Sequence, residues 1–256
     1  MKQAEQQAPS TREMERINWL EFGEWVPAKI KTVLLPLGTL EAHGVTANGT
    51  DIIAPVAMAR EIAPRVNAMI APAIAYGFTG VLDAYPGSFT VPEVPYREYV
   101  RAVMTGLAKN KFKNLILLNG HGGGQTAILA ALAQEVGRET ETRILVVNWW
   151  SYCSDITLEV FRQDGGHAGA NETAYVMAID PALVDEKRYN RDMATAMPDP
   201  NTWSAYPFPS SVMLYKHGQG YPQFDWEKAK TYFAKVNEKI ARLIEETIRK
   251  WDMARL

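Results

Sequence analysis

The stretch "KNLILLNG", residues 113–120, is a leucine and isoleucine run bounded by lysine before it and Asn-Gly after it. That is the pattern of a strand buried on both faces and feeding a polar loop. Three other segments share it: "KTVLLPLG" (31–38), "NAMIAPAIAYG" (67–77) and "RILVVNWW" (143–150). Helical spacing lies between them. Tyr96, Val100, Val103, Met104 and Leu107 fall at offsets 4, 7, 8 and 11, which places them on one helix face, and Thr126 to Val136 is rich in alanine and leucine. A last helix is predicted from Trp226 to about Trp251, with Ala229, Phe233, Val236, Ile240, Leu243 and Ile248 facing the core. Alternating strands and helices predict an α/β fold with a largely parallel sheet covered on both faces. In such sheets, functional loops gather at the carboxyl ends of the strands.

The 256 residues, 47% apolar, suffice for one large domain, predicted over 15–256 behind a polar tail of residues 1–14, with order starting near Ile17. The net charge of -2 and the lack of any Lys/Arg cluster speak against nucleic acid and for a small neutral or mildly polar partner. Cys153 is the only cysteine and has no partner for an internal disulfide. The N-terminal residues lack the apolar core of a signal peptide, and no run approaches a spanning helix, so the expected location is the cytoplasm, with no membrane contact. Residues 190–221 are dense in Pro, Ser, Gly and aromatics, the mark of an ordered irregular connection long enough to form a lid or a wall.

The four histidines are His43, His121, His167 and His217, and the first three sit in loops that the strand pattern brings to one edge. In "LEAHGVTANGTD" (40–51), Glu41 and His43 leave extended backbone on the same face, and Asp51 returns after a turn. Such a mixed oxygen and nitrogen set suits zinc, manganese or iron; a loop-bracing cluster is the competing reading. In "LLNGHGGGQ" (117–125), His121 stands where the strand ends, and Gly122 and Gly123 let the backbone approach a ligand. A phosphate-cradling loop lacks its Lys-Ser/Thr here. In "DGGHAGANETA" (164–174), His167 lies among glycines taken as flexible, and Glu172 stands near the start of a helix, where an acidic residue is also an ordinary dipole partner.

Together "GTLEAHG…NGTD", "NGHGGGQ" and "HAGANET" resemble the three motifs of the creatininase (creatinine amidohydrolase) family, in order and spacing over roughly residues 17–250. The resemblance implies a three-layer α/β sandwich assembled as a homo-oligomer, commonly a hexamer, with two divalent metal ions. By position, Glu41 and His121 would ligate one metal, His43 the other, and Asp51 would bridge them. The glutamate that completes the second site in creatininase is Gly123 here, which makes Glu172 the fifth ligand. His167 would be the general acid/base or a substrate contact, and Trp149 and Trp150 would wall the pocket, with buried packing as the alternative for at least one. Two departures stand out: Thr46 replaces the family's second histidine, so substrate groups touching that turn should differ, and Gly124 replaces an asparagine, which should enlarge the pocket.

The implied reaction is hydrolytic ring opening of a small cyclic polar substrate, hydroxide generated at the metals adding to a carbonyl while His167 passes a proton to the departing atom. The altered first turn resembles the keto-inositol (3-dehydro-scyllo-inosose) hydrolase branch and favours a diketo-cyclitol, hence a place in inositol catabolism, over a creatinine-type cyclic amide or formamide. A metal-dependent isomerase or lyase, an inactive binding protein, and a cysteine hydrolase built on Cys153 are the readings from other classes.

Overall fold

The computed structural model describes residues 8–256. Four strands, β1 (Thr32–Leu37), β2 (Ala68–Ile70), β3 (Asn114–Asn119) and β4 (Arg143–Asn148), form one all-parallel sheet in the order β2-β1-β3-β4. Because side chains alternate across a strand, each strand feeds two cores. Leu34, Ile116 and Leu118 enter one, beneath α2 (Thr50–Ile62) and the later helices. Val33, Leu35, Leu37, Leu115 and Leu117 enter the other, beneath α1 (Trp19–Trp25), α3 (Glu93–Lys109) and α4 (Gly123–Thr140). The result is the three-layer α/β sandwich expected from the sequence.

A turn, α5 (Trp149–Tyr152), leads into α6 (Ser154–Phe161). A small second sheet joins β5 (Gly166–His167), β6 (Ala194–Ala196) and β7 (Val212–Leu214), with β7 in the centre. Between β5 and β6 lies α7 (Ala170–Ile179), and the last helix, α8 (Trp226–Met253), buries Ala229, Tyr232, Val236, Ile240 and Ile244 in the first core. The predicted strand over 67–77 is regular only to Ile70. Pro72 has no amide to donate, yet the chain stays beside β1, Ile74 donating to the Pro36 carbonyl.

Of the expected tail, residues 1–7 lie outside the described residues. Order begins earlier than Ile17, because the segment before it docks on the outer edge of β2. Ile70 N–H donates to the Arg12 carbonyl at 2.7 Å, and Glu13 pairs with Arg60 at 2.5 Å. That contact covers an otherwise open strand edge.

The order β2-β1-β3-β4 sends the chain from β1 to one side and from β3 to the other. The crevice between the carboxyl ends of β1 and β3 is therefore the topological switch point, where open α/β sheets bind ligands.

Candidate metal centre

The loop after β1 supplies Glu41 and His43, and the turn after β3 supplies His121, so the two sides of the switch point meet. Asp51 is placed between them by the first turn of α2, whose dipole favours a carboxylate. Glycine makes the fit possible. A β-carbon on Gly38 would stand 2.1 Å from the Asp51 carbonyl oxygen, and one on Gly120 1.9 Å from it. Asn119 shapes the second turn: its side-chain oxygen accepts from His121 N–H and from Gln125, while its amide donates to the His121 carbonyl and to Asn148.

Glu172 lies in the first turn of α7, where its Oε2 accepts the Ala168 N–H at 2.7 Å and also stands 3.7 Å from His43 Nε2. The glycines around His167 are there for close packing and not, as the sequence suggested, for flexibility. A β-carbon on Gly166 would meet the Met213 carbonyl at 2.7 Å, and one on Gly169 the Gly220 carbonyl at 2.6 Å. His167 Nε2 donates to the Ala42 carbonyl at 2.8 Å, and its ring lies 4.2 Å from that of His43.

Asp51 divides its carboxylate between two histidines. Oδ1 is 3.0 Å from His43 Nε2 and Oδ2 is 2.9 Å from His121 Nδ1. Donor atoms of Glu41, Asp51 and His121 form one set within 4.8 Å of one another, and those of His43, Asp51 and Glu172 form a second, with Asp51 common to both. Glu41, His43 and His167 make a third such set.

The donors are arranged for a cation. His43 Nδ1 faces the Glu41 carbonyl, which only accepts, so Nδ1 carries the proton and Nε2 turns either a second proton or a lone pair on Asp51 and Glu172. Among the described residues, neither carboxylate oxygen of Glu41 has a hydrogen-bond partner although both are buried, and the 3.1 Å approach of His121 Nδ1 to Oε1 lacks hydrogen-bond geometry. His121 Nε2 is likewise buried without a partner. Buried carboxylates left so are costly unless positive charge is supplied.

The protonation of the isolated protein reflects that demand. Burial opposes charge on His43, but attraction to Asp51, their hydrogen bond, and Glu172 and Glu41 overcome it and lift the imidazole to about 10. His121 is raised in the same way, burial again being outweighed by Glu41 and Asp51. Burial pushes the Glu172 carboxyl up to about 8 and raises Glu41. Burial acts in that sense on Asp51 too, yet His43 and His121 keep it below the ordinary carboxylate range. Burial, then the charge of His43, pushes His167 down to about 3, so it is neutral.

A cavity of about 610 Å³ opens above the donors and is lined by Glu41, Asp51, His121, His167 and Glu172 at its base. Gly122, Gly123 and Trp150 also line it, but Trp149 does not. Trp149 begins a helical turn directly after β4, so its side chain is carried into the core against Tyr175, with ring centroids 4.9 Å apart. Two further expectations are corrected. Gly124 leaves no extra pocket space, because the Phe78 ring already stands 2.7 Å from where its β-carbon would be. Thr46 does not reach the cavity; it is buried, with its hydroxyl 3.2 Å from that of Thr173. The 190–221 segment does form a wall: Met197, Trp203, Phe208, Met213 and Tyr215 face the cavity. Leu82 and Thr79 join them from the loop before α3, and no motif in the sequence marked these residues. Cys153 is fully buried in the core and lies outside the cavity lining.

A family model described as creatininase, creatinine amidohydrolase, matches residues 15–244. Among curated relatives, creatinine amidohydrolase of Pseudomonas putida is 25% identical over 190 residues, 67% of this chain and 73% of its own. The 3-dehydro-scyllo-inosose hydrolase of Thermotoga maritima is 25% identical over 166 residues, 60% of this chain and 52% of its own. The mycofactocin precursor peptide peptidase of Mycobacterium ulcerans is 28% identical over 177 residues, 62% of each chain. The chain thus spans little more than half the length of some relatives, and such even identities single out no branch. Among solved structures, a mutant creatininase of the Zn-Zn type superposes with TM-score 0.78 at 22% identity, covering 93% of this chain and 98% of that one. A manganese creatininase superposes with TM-score 0.75 at 22% identity over 93% and 98%.

Proposed function

The chain belongs to the creatininase family, and from that premise we propose that it is a two-metal hydrolase that adds water to an amide-type carbonyl. The observation that carries the reading is the division of Asp51 between His43 and His121, which makes two donor sets sharing one carboxylate. Glu41, Asp51 and His121 would hold one divalent ion, and His43, Asp51 and Glu172 the other; zinc, manganese and iron all suit such donors. Ions held there supply Lewis acidity toward a carbonyl oxygen and bring the ionisation of water near neutrality.

The chain's own groups do the rest. His167 Nδ1 is a free lone pair beside the donors, since Nε2–H is committed to the Ala42 carbonyl. It takes the proton lost by the attacking water and returns it to the departing nitrogen, and the Ala42 carbonyl steadies the imidazolium in between. Gly122 and Gly123 bring the start of α4 to the cavity without a side-chain cap, so its first amide N–H groups would be available to a carbonyl oxygen as charge develops there. Trp150 closes one side.

The keto-inositol reading drew on the altered first turn. Thr46 lies outside the cavity, and only Glu41 and Asp51 of that turn line it. The turn therefore lends no support to a diketo-cyclitol over an amide. The deciding experiment loads the protein with zinc or manganese and offers creatinine, a diketo-cyclitol and simple N-substituted acetamides in ¹⁸O water. Solvent oxygen in an acid product from an amide is the expected result; product without solvent oxygen would move the assignment to an isomerase or lyase. Assembly into a homo-oligomer, a hexamer on the family pattern, belongs to the same proposal. Trp19 and Leu20, 80% and 60% exposed on α1, offer apolar surface for it, and light scattering tests it.

A further inference from the structure

The cavity changes character away from the donors. Leu82, Phe208 and Met213 form an apolar cluster of their own, with Tyr85 packed against it. Trp203 lies on Phe208 with ring centroids 5.6 Å apart and planes 12° apart, and it stays 46% exposed at the mouth. This wall is anchored, since the Tyr85 hydroxyl donates to the Phe208 carbonyl at 2.7 Å. Among the described residues, no lysine or arginine lines the cavity. Thr126, Ser151, Ser204 and Tyr215 also border the cavity, but the cluster of Leu82, Phe208 and Met213 is itself without polar side chains, and the nearby Thr79 hydroxyl is spent on the Phe89 carbonyl.

A polyhydroxylated ring laid on Leu82, Phe208, Met213 and Trp203 would leave the hydroxyl groups on that side without partners, at a cost for each. A free carboxylate on that side would face no lysine or arginine among the described residues. An aromatic or bulky aliphatic group would bury the open face of Trp203 and the apolar side chains beside it. A cavity of about 610 Å³ also leaves most of its space empty around one small ring, within a size range, roughly 300–1,000 Å³, that suits a larger ligand.

We propose that the substrate is an amide bearing an apolar, aromatic-sized group without a carboxylate, and that Trp203 on Phe208 is the surface that selects that group. The reacting bond rests on the hydrolase reading above, whereas the selectivity of the wall is open to a binding measurement.

The probes are N-benzylacetamide, N-(2-hydroxyethyl)acetamide and scyllo-inositol, titrated into the metal-loaded full chain by calorimetry and by tryptophan fluorescence on rapid mixing. The expected result is at least about tenfold tighter binding of N-benzylacetamide than of the hydroxyethyl amide. Trp203→Ala should remove most of that preference while binding of the hydroxyethyl amide is unchanged, and Trp203→Phe should restore it. No binding of N-benzylacetamide, equal binding of the two amides, or tighter binding of scyllo-inositol would overturn the proposal. Turnover separates the two readings. Preference without hydrolysis of either amide removes the hydrolase reading and leaves the wall; hydrolysis of both without preference does the opposite.

Discussion

Gly120 has no room for a side chain, because a β-carbon there would lie 1.9 Å from the carbonyl oxygen of Asp51 and 2.8 Å from Pro55 Cγ. The end of β3 thus touches the backbone of the residue proposed to join the two metal sites. Gly120→Ala should push the first turn of α2 out of the crevice, lowering stability by about 1–3 kcal/mol and bound metal with it. Gly106, in the last turn of α3 with nothing within 4 Å of its β-carbon position, is the contrast. Gly106→Ala should raise stability by roughly 0.5–1 kcal/mol. Denaturant melts and metal analysis of both variants check the pair, and a Gly120→Ala protein with full metal content would contradict the placement.

Asp51 and Glu172 should differ in what their loss removes. Asp51 offers one oxygen to each histidine, so Asp51→Asn weakens both sites at once and should reduce affinity for both metals by more than about 100-fold. Glu172 belongs only to the set of His43 and Asp51 and not to that of His121, so Glu172→Gln should empty one site and spare the other. The measurement is metal stoichiometry after gentle desalting. Two ions retained by Asp51→Asn would end the bridging assignment.

Cys153 is fully buried, and burial pushes its thiol up to about 12, far from the thiolate that nucleophilic attack needs. Cys153→Ala should keep activity while losing about 1–2 kcal/mol of stability to the small cavity it leaves. Thiol titration of the folded protein with an aromatic disulfide should be slow and become complete on unfolding. Activity abolished in a folded Cys153→Ala protein would revive a cysteine mechanism.

What the sequence revealed follows from how local each signal is. The leucine run of 113–120 and the run of 31–38 announce central strands because both faces of each are buried, and period alone then places their loops at one edge. Glu41, His43, Asp51, His121 and Glu172 stand in short motifs, so their convergence could be foreseen. Of the apolar wall only the segment could be foreseen, residues 190–221 by their composition, and not which side chains face the cavity. Trp203 and Phe208 lie in irregular chain and Met213 in the three-residue β7, all far from those motifs, and nothing periodic points them at the cavity. Trp149 and Trp150 looked equivalent because only the helical turn that begins at Trp149 decides which ring enters the core. Gly124 and Thr46 misled for a related reason: each marked a departure in sequence, but Phe78 fills the space at one and Thr173 lies against the other.

The pH dependence of the site has a definite sign. In protein stripped of metal, His43 titrates at about 10 when folded and at about 6.5 when unfolded. Its contribution to stability is then fully present below about pH 6.5 and is lost as pH rises through the folded value. Glu172, raised to about 8 from an unfolded value of about 4.3, acts in the same direction over a lower window. His167, pushed down to about 3, acts the opposite way, its contribution being lost only as pH falls below about 6.5. Above neutrality the stripped protein therefore loses stability steadily. Metal ions would replace those protons, so binding should release protons and tighten as pH rises. Melting curves from pH 6 to 10, with chelator and with added zinc, should diverge upward, and proton release on zinc addition should be largest at the low end of that range and fall as pH rises past about 8. Curves that stay parallel across that range would mean that the protons and the metal do not share these donors.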